Sequence, residues 1–371
     1  MPDVLILGGG VIGLSLAYEL SGRGRTVAVI EQNAEIGRES SWAGAGILPD
    51  AAVRSTAPPL EQLAGHAFAL HRQWADRLRQ ATGIDNGYRV CGAVYLGQDA
   101  ATLATLEAEA AQWREQGLNY EPVDAGNVAE IEPALAPAFA GGEIRRAYYM
   151  PNESQVRNPR HMQALYAACV KQGVTFHCDA VVQDFVVAGG KLTEVRTARG
   201  PFSAAQIVLA GGAWTGRLGE KLGLKLGVRP IRGQIALLHP PKPVVRRTIM
   251  LGRRYLVPRD DGRILIGSTE EDVGFDKSNT AAVIADLLQF AVTLVPQLRD
   301  APLERTWAGL RPYSADDLPY LGAVPNLSNA FVAAGHYRWG LTLSTATAVC
   351  LTQLLLGEQP LVDLHAFRLD R

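Results

Sequence analysis

The sequence predicts an α/β chain in which parallel-sheet pieces at both ends flank antiparallel sheet in the middle. Two observations carry that prediction. Val4-Leu5-Ile6-Leu7 reads as a short buried strand, followed at once by glycines, a helical pattern to Leu20 and a second buried strand over Thr26 to Glu31. Together these make a βαβ unit of about the usual ~30 residues. Residues 233–267, by contrast, alternate short strands with turns, which suits antiparallel sheet. A chain of 371 residues is long enough for two domains with substantial cores.

The remaining elements follow in order. Leu60, Leu63, Ala67, Leu70, Trp74 and Leu78 recur at steps of three and four and predict an amphipathic helix. Residues 88–96 read as one strand, and Leu103 to Trp113 as a helix with an acidic outer face. Pro133, Pro137 and Gly141-Gly142 mark a loop. Asn158 is expected to cap a helix that Pro159 opens and that runs to about Lys171. TFHCDAVVQDFVV then reads as consecutive strands, and Gln206 to Ala210 as a buried strand ending on Gly211-Gly212. A helix over 280–293, strands near 304–310 and 330–334, and a buried helix from Leu341 to Leu356 complete the chain.

Composition excludes several classes of function. The 36 basic residues nearly cancel the 37 acidic ones, so nothing favours nucleic acid or an anionic membrane surface. No window reaches the ~18 unbroken apolar residues of a membrane span, and no basic segment precedes the first apolar run as in a signal peptide. The four cysteines form no CxxC pair, which argues against a zinc site or redox dithiol and suits a reducing cytosol. A cytoplasmic protein is expected, either monomeric or a homo-oligomer.

Gly8-Gly9-Gly10-Val11-Ile12-Gly13 fits GxGxxG, directly after a strand and directly before a helix. The first glycine permits the tight turn, the second lets a pyrophosphate reach the backbone, and the third lets helix and strand pack closely. The helix start offers free N–H groups and a positive dipole end to phosphates, with Val11 and Ile12 in its first turn. Glu31, about ~20 residues on, can accept both hydroxyls of an adenosine ribose, with Gln32 beside it. An acid there argues against a 2′-phosphate. These features predict a Rossmann-like dinucleotide domain. The run GRESSWAGAGIL at 37–48 points to FAD over NAD, because small and hydroxyl residues let backbone lie against a flat ring and its phosphate tail; by composition alone it also reads as a flexible loop.

Eight ordered segments resemble the D-amino-acid-oxidase-like flavoenzymes, and most closely the glycine oxidases linked to thiamine biosynthesis. They are the N-terminal fingerprint with Glu31, SSWAGAGIL, QVRNPRHM at 155–162, VLAGGAW at 208–214 and PIRGQ at 230–234. YLVPRDDGRILIGSTEEDVGFD at 255–276, WAGLRPYSADDLPYLG at 307–322 and GHYRWGLTLS at 335–344 complete the set. The resemblance spans essentially the whole chain. It implies a discontinuous FAD-binding domain of residues 1–86, 152–228 and 315–371, and a substrate domain of residues 87–151 and 229–314 with an antiparallel sheet over the flavin.

It also implies that Ser40, Ser41, Gly44, Ala45, Gly46 and Ile47 line the flavin and phosphates, and that Val181 or Val182 meets the adenine. Gly211, Gly212 and Trp214 would stand near the cofactor, as would His336, Arg338, Gly340, Leu341 and Thr342 in the segment passing the pyrimidine end of the ring. Arg311 matches the arginine that clamps the substrate carboxylate, Tyr255 a tyrosine that adds a hydrogen bond to it, and Arg338 a position at the site's edge. Taken alone, Arg311 reads first as a structural salt bridge and Tyr255 as a half-buried strand residue; only their motif positions select the substrate roles. The chain departs from the family pattern at Trp339, Thr345 and Ile47, which leaves substrate preference open. Leu310 and Gly309 stand where a related branch attaches its flavin to cysteine, so the FAD is expected to be non-covalent.

The activity implied is oxidation of glycine or another small D- or N-methyl amino acid to its imine and 2-oxo acid, with O2 reduced to hydrogen peroxide. The alternatives are a D-amino-acid or imino-acid dehydrogenase serving a quinone or carrier, and a non-catalytic flavin-binding protein.

Overall fold

The computed structural model describes residues 1–371 and contains two principal sheets. The first is six-stranded, in the order Tyr320–Ala323, Ala330–Ala334, Gln206–Leu209, Val4–Leu7, Val27–Ile30, Thr175–His177. It is parallel except for its antiparallel edge strand Tyr320–Ala323. The unbroken apolar character of its strands has a simple cause. Val4 and Ile6 enter one core cluster and Leu5 and Leu7 the other, so both faces of the strand are buried. Val27 and Val29 split from Ala28 and Ile30 in the same way. Helices Val11–Gly22, Pro59–Thr82, Asn158–Lys171 and Gly340–Leu355 cover one face.

The second sheet is eight-stranded and mostly antiparallel, in the order 303–313, 229–238, 264–267, 254–258, 248–251, 93–97, 146–150, 121–123. Its strands obey a period of two. Leu256, Ile249, Val94 and Ala236 face a core closed by helix Ala281–Leu294, which turns Tyr255, Met250, Tyr95 and Ile235 to the opposite face. That second face becomes a wall of the site.

Four local expectations are corrected. Residues 88–96 form two strands, Arg89–Val90 and Ala93–Gly97, in different sheets. The chain turns at Gly92, whose φ is +68°, and both Cys91 N–H and Gly92 N–H donate to the Glu153 carbonyl. Pro133 and Pro137 lie in the first turns of short helices, Pro133–Leu135 and Ala136–Ala140, where a missing N–H costs nothing. Asn158 is the first helical residue and makes no cap; its amide donates to the Ser41 carbonyl at 2.8 Å. Helix Ala100–Gln116 has a mixed rather than purely outward acidic face: Glu107 pairs with Arg146 at the surface, but Glu109 lines the central cavity.

Candidate active site

A cavity of about 830 Å³ is lined by residues of both sheets. Gly8, Gly10, Val11 and Ile12 line it from the first turn, Glu31 and Gln32 from the end of the second strand, and Ser40, Ser41, Gly44, Ala45, Gly46 and Ile47 from the small-residue run. Val181, Gly211, Gly212 and Trp214 join from the parallel sheet's later connections, and His336, Arg338, Trp339, Gly340, Leu341 and Thr342 from the start of the last helix. Tyr255 and Arg311 reach it from the antiparallel sheet. Gly13 alone of the expected residues does not line it, and the reason is packing: a Cβ there would lie 2.0 Å from the Gly8 carbonyl oxygen.

The residues present fit FAD. A Cβ on Gly10 would meet only Ser41 Oγ, at 3.2 Å, so the space over this glycine is cavity. Beside it the helix N-terminus opens, with Val11 N–H donating to Ser41 Oγ at 2.8 Å; such an end favours a pyrophosphate. Glu31 is 8% exposed, and its carboxylate accepts from Gly9 N–H at 2.9 Å and Asn33 N–H at 3.0 Å. Burial raises its pKa, while those amides favour the charged form that a ribose would meet. Gly46 has φ +76° and no room for a side chain, since a Cβ would lie 2.0 Å from the Val156 carbonyl oxygen.

Arg259 was not singled out by sequence reasoning, yet it braces this run. Its buried guanidinium donates to the Ala45 carbonyl at 2.6 Å, the Val156 carbonyl at 3.1 Å and Gln155 Oε1 at 2.6 Å. Burial lowers its pKa to about 10, which leaves it charged at neutral pH.

At the opposite end, Arg311 has no carboxylate partner. Its Nη1 donates to the Thr269 carbonyl at 2.9 Å and its Nη2 to Ser268 Oγ at 2.6 Å. Two neutral oxygens therefore hold a guanidinium that lines the cavity with its charge uncompensated. Tyr255 is 7% exposed, and its hydroxyl makes no hydrogen bond within the chain. Arg338 pairs loosely with Glu270 at 3.4 Å, with its side chain 32% exposed. Arg311 and Arg253 add to burial in lowering its pKa, so three guanidiniums crowd one end of the cavity. Trp339 is 41% exposed, at the rim.

His336 is buried and bonded to Thr347 Oγ1 at 3.2 Å, and burial lowers its pKa to about 3. A neutral imidazole tied to the last helix supports that segment and is a poor general base. Trp307 donates to the Ala43 carbonyl at 3.0 Å and stacks edge-on against Trp42, so it packs the wall.

Two further glycines carry the geometry. A Cβ on Gly233 would lie 2.4 Å from both terminal nitrogens of Arg311, and one on Gly267 would lie 2.6 Å from the Tyr255 ring. Each side chain lies across the glycine of a neighbouring strand. The signal was legible, since a glycine inside a strand often marks a close approach. Gly233→Ala is expected to push the Arg311 guanidinium aside and raise KM for amino acids about tenfold or more, with FAD still bound. Steady-state kinetics beside the flavin absorbance would check this; an unchanged KM would show that the guanidinium has room to move.

Comparison with known proteins agrees with this geometry. The pattern of the family described as FAD dependent oxidoreductase matches residues 3–354. A glycine oxidase of Pseudomonas putida is 38% identical over 366 residues, covering 97% of this chain and 96% of that protein. The crystal structure of glycine oxidase from Geobacillus kaustophilus superposes with a TM-score of 0.93 at 35% identity, covering 100% of this chain and 98% of that one. That of iminodiacetate oxidase from Chelativorans sp. BNC1 gives 0.87 at 27% identity, with 98% of each chain covered. The glycine cradle, the buried carboxylate at the end of the second strand and a sequence match running along nearly the whole length agree, and the chain belongs to the FAD-dependent oxidoreductase family.

Proposed function

We propose that this protein oxidises glycine or another small α-amino acid at Cα, consuming O2 and releasing hydrogen peroxide and an imine that hydrolyses to the 2-oxo acid. The observation that carries this reading is the uncompensated guanidinium of Arg311 facing the cavity. Such a fork grips a carboxylate through two charge-assisted hydrogen bonds. The free Tyr255 hydroxyl lies on the same face of the sheet and supplies a further donor. The oxidase names of the relatives support O2 as acceptor.

Bound FAD supplies the hydride acceptor. The protein's share is orientation: Arg311 and Tyr255 fix the carboxylate, which leaves the substrate few ways to present its Cα–H. No base is needed in the wall if the substrate enters with a neutral amine, and the buried, uncharged His336 does not offer one. The N-terminus of helix Gly340–Leu355 points positive dipole at the cavity, where negative charge would develop. We place the protein in the cytoplasm. Free thiols at Cys91, Cys169, Cys178 and Cys350 support that setting, and no helix is long and apolar enough to cross a membrane.

The test is an anaerobic titration of the FAD-loaded protein with glycine, sarcosine, D-alanine and D-proline, followed by admission of air. Bleaching that reverses in air with stoichiometric peroxide is the expected result. Slow recovery in air would identify a dehydrogenase, and no bleaching by any amine would refute amino-acid oxidation. Tyr255→Phe should raise KM for the preferred substrate roughly tenfold, by loss of one hydrogen bond to a charged group; an unchanged KM would remove Tyr255 from the site.

A further inference from the structure

The cavity does not end at Tyr255. Across the antiparallel sheet Tyr255 pairs with Met250, and Met250 with Tyr95. These three side chains therefore form one row on the cavity face, with Tyr95 about 10 Å, two strand spacings, beyond Tyr255. All three line the cavity. At the far end of the row the lining turns acidic. Asp50 follows the Ile47–Leu48 strand, Glu153 precedes its partner Ser154, and Glu109 comes from helix Ala100–Gln116.

Glu153 is 2% exposed. Its Oε1 accepts from the Tyr95 hydroxyl at 2.5 Å, whereas its Oε2 has no hydrogen-bond partner; the Asp50 amide nearby favours the charged form of the carboxyl. None of the three carboxyls forms an ion pair; Arg338 is near enough for its charge to favour the ionised form of Glu109. Burial raises Glu153 to about 8 and, against the opposing charge of Arg338, Glu109 to about 7. At neutral pH Glu153 is therefore largely protonated, and a cation brought against it would favour its ionised form.

We infer that this recess is a subsite for a cationic tail, so that the preferred substrates include α-amino acids whose side chain ends in an ammonium or guanidinium. This inference rests on the oxidation of α-amino acids proposed above and extends it from small side chains to longer, cationic ones. The guanidinium end takes the carboxylate, the acidic end takes the distal cation, and a side chain of lysine length spans the gap along the Tyr255–Met250–Tyr95 row. The orphaned Oε2 of Glu153 gains the donor it lacks, and Trp113, stacked edge-on against Tyr95 with ring centroids 4.8 Å apart, holds the tyrosine in place.

Binding and turnover test it separately on the FAD-loaded protein. 6-Aminohexanoate, with a carboxylate and a distal ammonium but no α-amine, should perturb the flavin spectrum with a Kd about tenfold or more below that of hexanoate. Glu153→Gln should bring the two dissociation constants together, and Glu109→Gln should narrow the gap; flavin absorbance confirms that each variant is folded. In turnover, one enantiomer of lysine should exceed norleucine in kcat/KM by about tenfold or more.

Equal binding of the two hexanoates overturns the subsite, as does a ratio that both variants leave unchanged. Preference for norleucine or for 2-aminoadipate also overturns it. If glycine or alanine bleaches the flavin while lysine and norleucine are equivalent, the subsite falls and the oxidase reading stands. If 6-aminohexanoate is selected yet no amino acid bleaches the flavin, the cation subsite stands and the oxidation reading falls.

Discussion

Arg311→Ala is expected to raise KM for amino acids by about a hundredfold or more while leaving FAD bound. Removing one member of a desolvated charge pair costs about 3 kcal/mol, and here the substrate carboxylate would lose both arms of the fork at once. The chain does not compensate for that loss. Arg311 is held by the Thr269 carbonyl and Ser268 Oγ, so no acid in the wall is left unpaired when the guanidinium goes. That distinguishes the variant from a broken salt bridge, whose stranded acid would destabilise the fold. Arg311→Lys should recover only part of the affinity, because an ammonium cannot reproduce the planar fork. Substrate titration at constant flavin content decides it: loss of flavin or a large fall in melting temperature would make Arg311 structural.

Gly10→Val should abolish FAD retention and yield a colourless protein. The cause is volume. Gly10 has φ −74°, which any residue adopts, and a Cβ alone would meet only Ser41 Oγ. A branched side chain, however, would fill the space over the open helix end, where the pyrophosphate must approach backbone N–H groups. Gly10→Ala should accordingly weaken FAD binding less than Gly10→Val. Absorbance near the flavin bands after purification, with circular dichroism to confirm folding, checks the pair. A yellow valine variant with full activity would place the phosphates elsewhere.

The parallel half of the molecule was legible from sequence because its rules are short in range. The run Val4-Leu5-Ile6-Leu7 is apolar at every position, and the structure buries both faces of it. Expected helices at 60–78, 159–171, 280–293 and 341–356 are found at Pro59–Thr82, Asn158–Lys171, Ala281–Leu294 and Gly340–Leu355, since three-and-four periodicity is itself local. Where the reading failed, a distant partner intervened. The strand expected over 88–96 breaks at Cys91-Gly92 because two consecutive amides are drawn to the carbonyl of Glu153. Asn158 gives up capping for the carbonyl of Ser41, more than a hundred residues away.

The same division holds for the site. By itself the sequence determined the cradle, through glycine spacing and the acid at the end of the second strand, and motif position singled out Arg311, Tyr255 and Arg338. Only the tertiary structure decided what state those groups are in. Whether Arg311 pairs with an acid depends on which strand lies beside it, and the sheet sets it over Gly233, against Ser268 and Thr269. Whether Glu109 is a solvated surface charge or part of a buried acidic recess depends on how one helix lies over the Tyr255–Met250–Tyr95 row. Periodicity records which face of an element is apolar. Charge compensation depends on distances between side chains far apart in the chain, and those exist only once the two sheets have closed around the cavity.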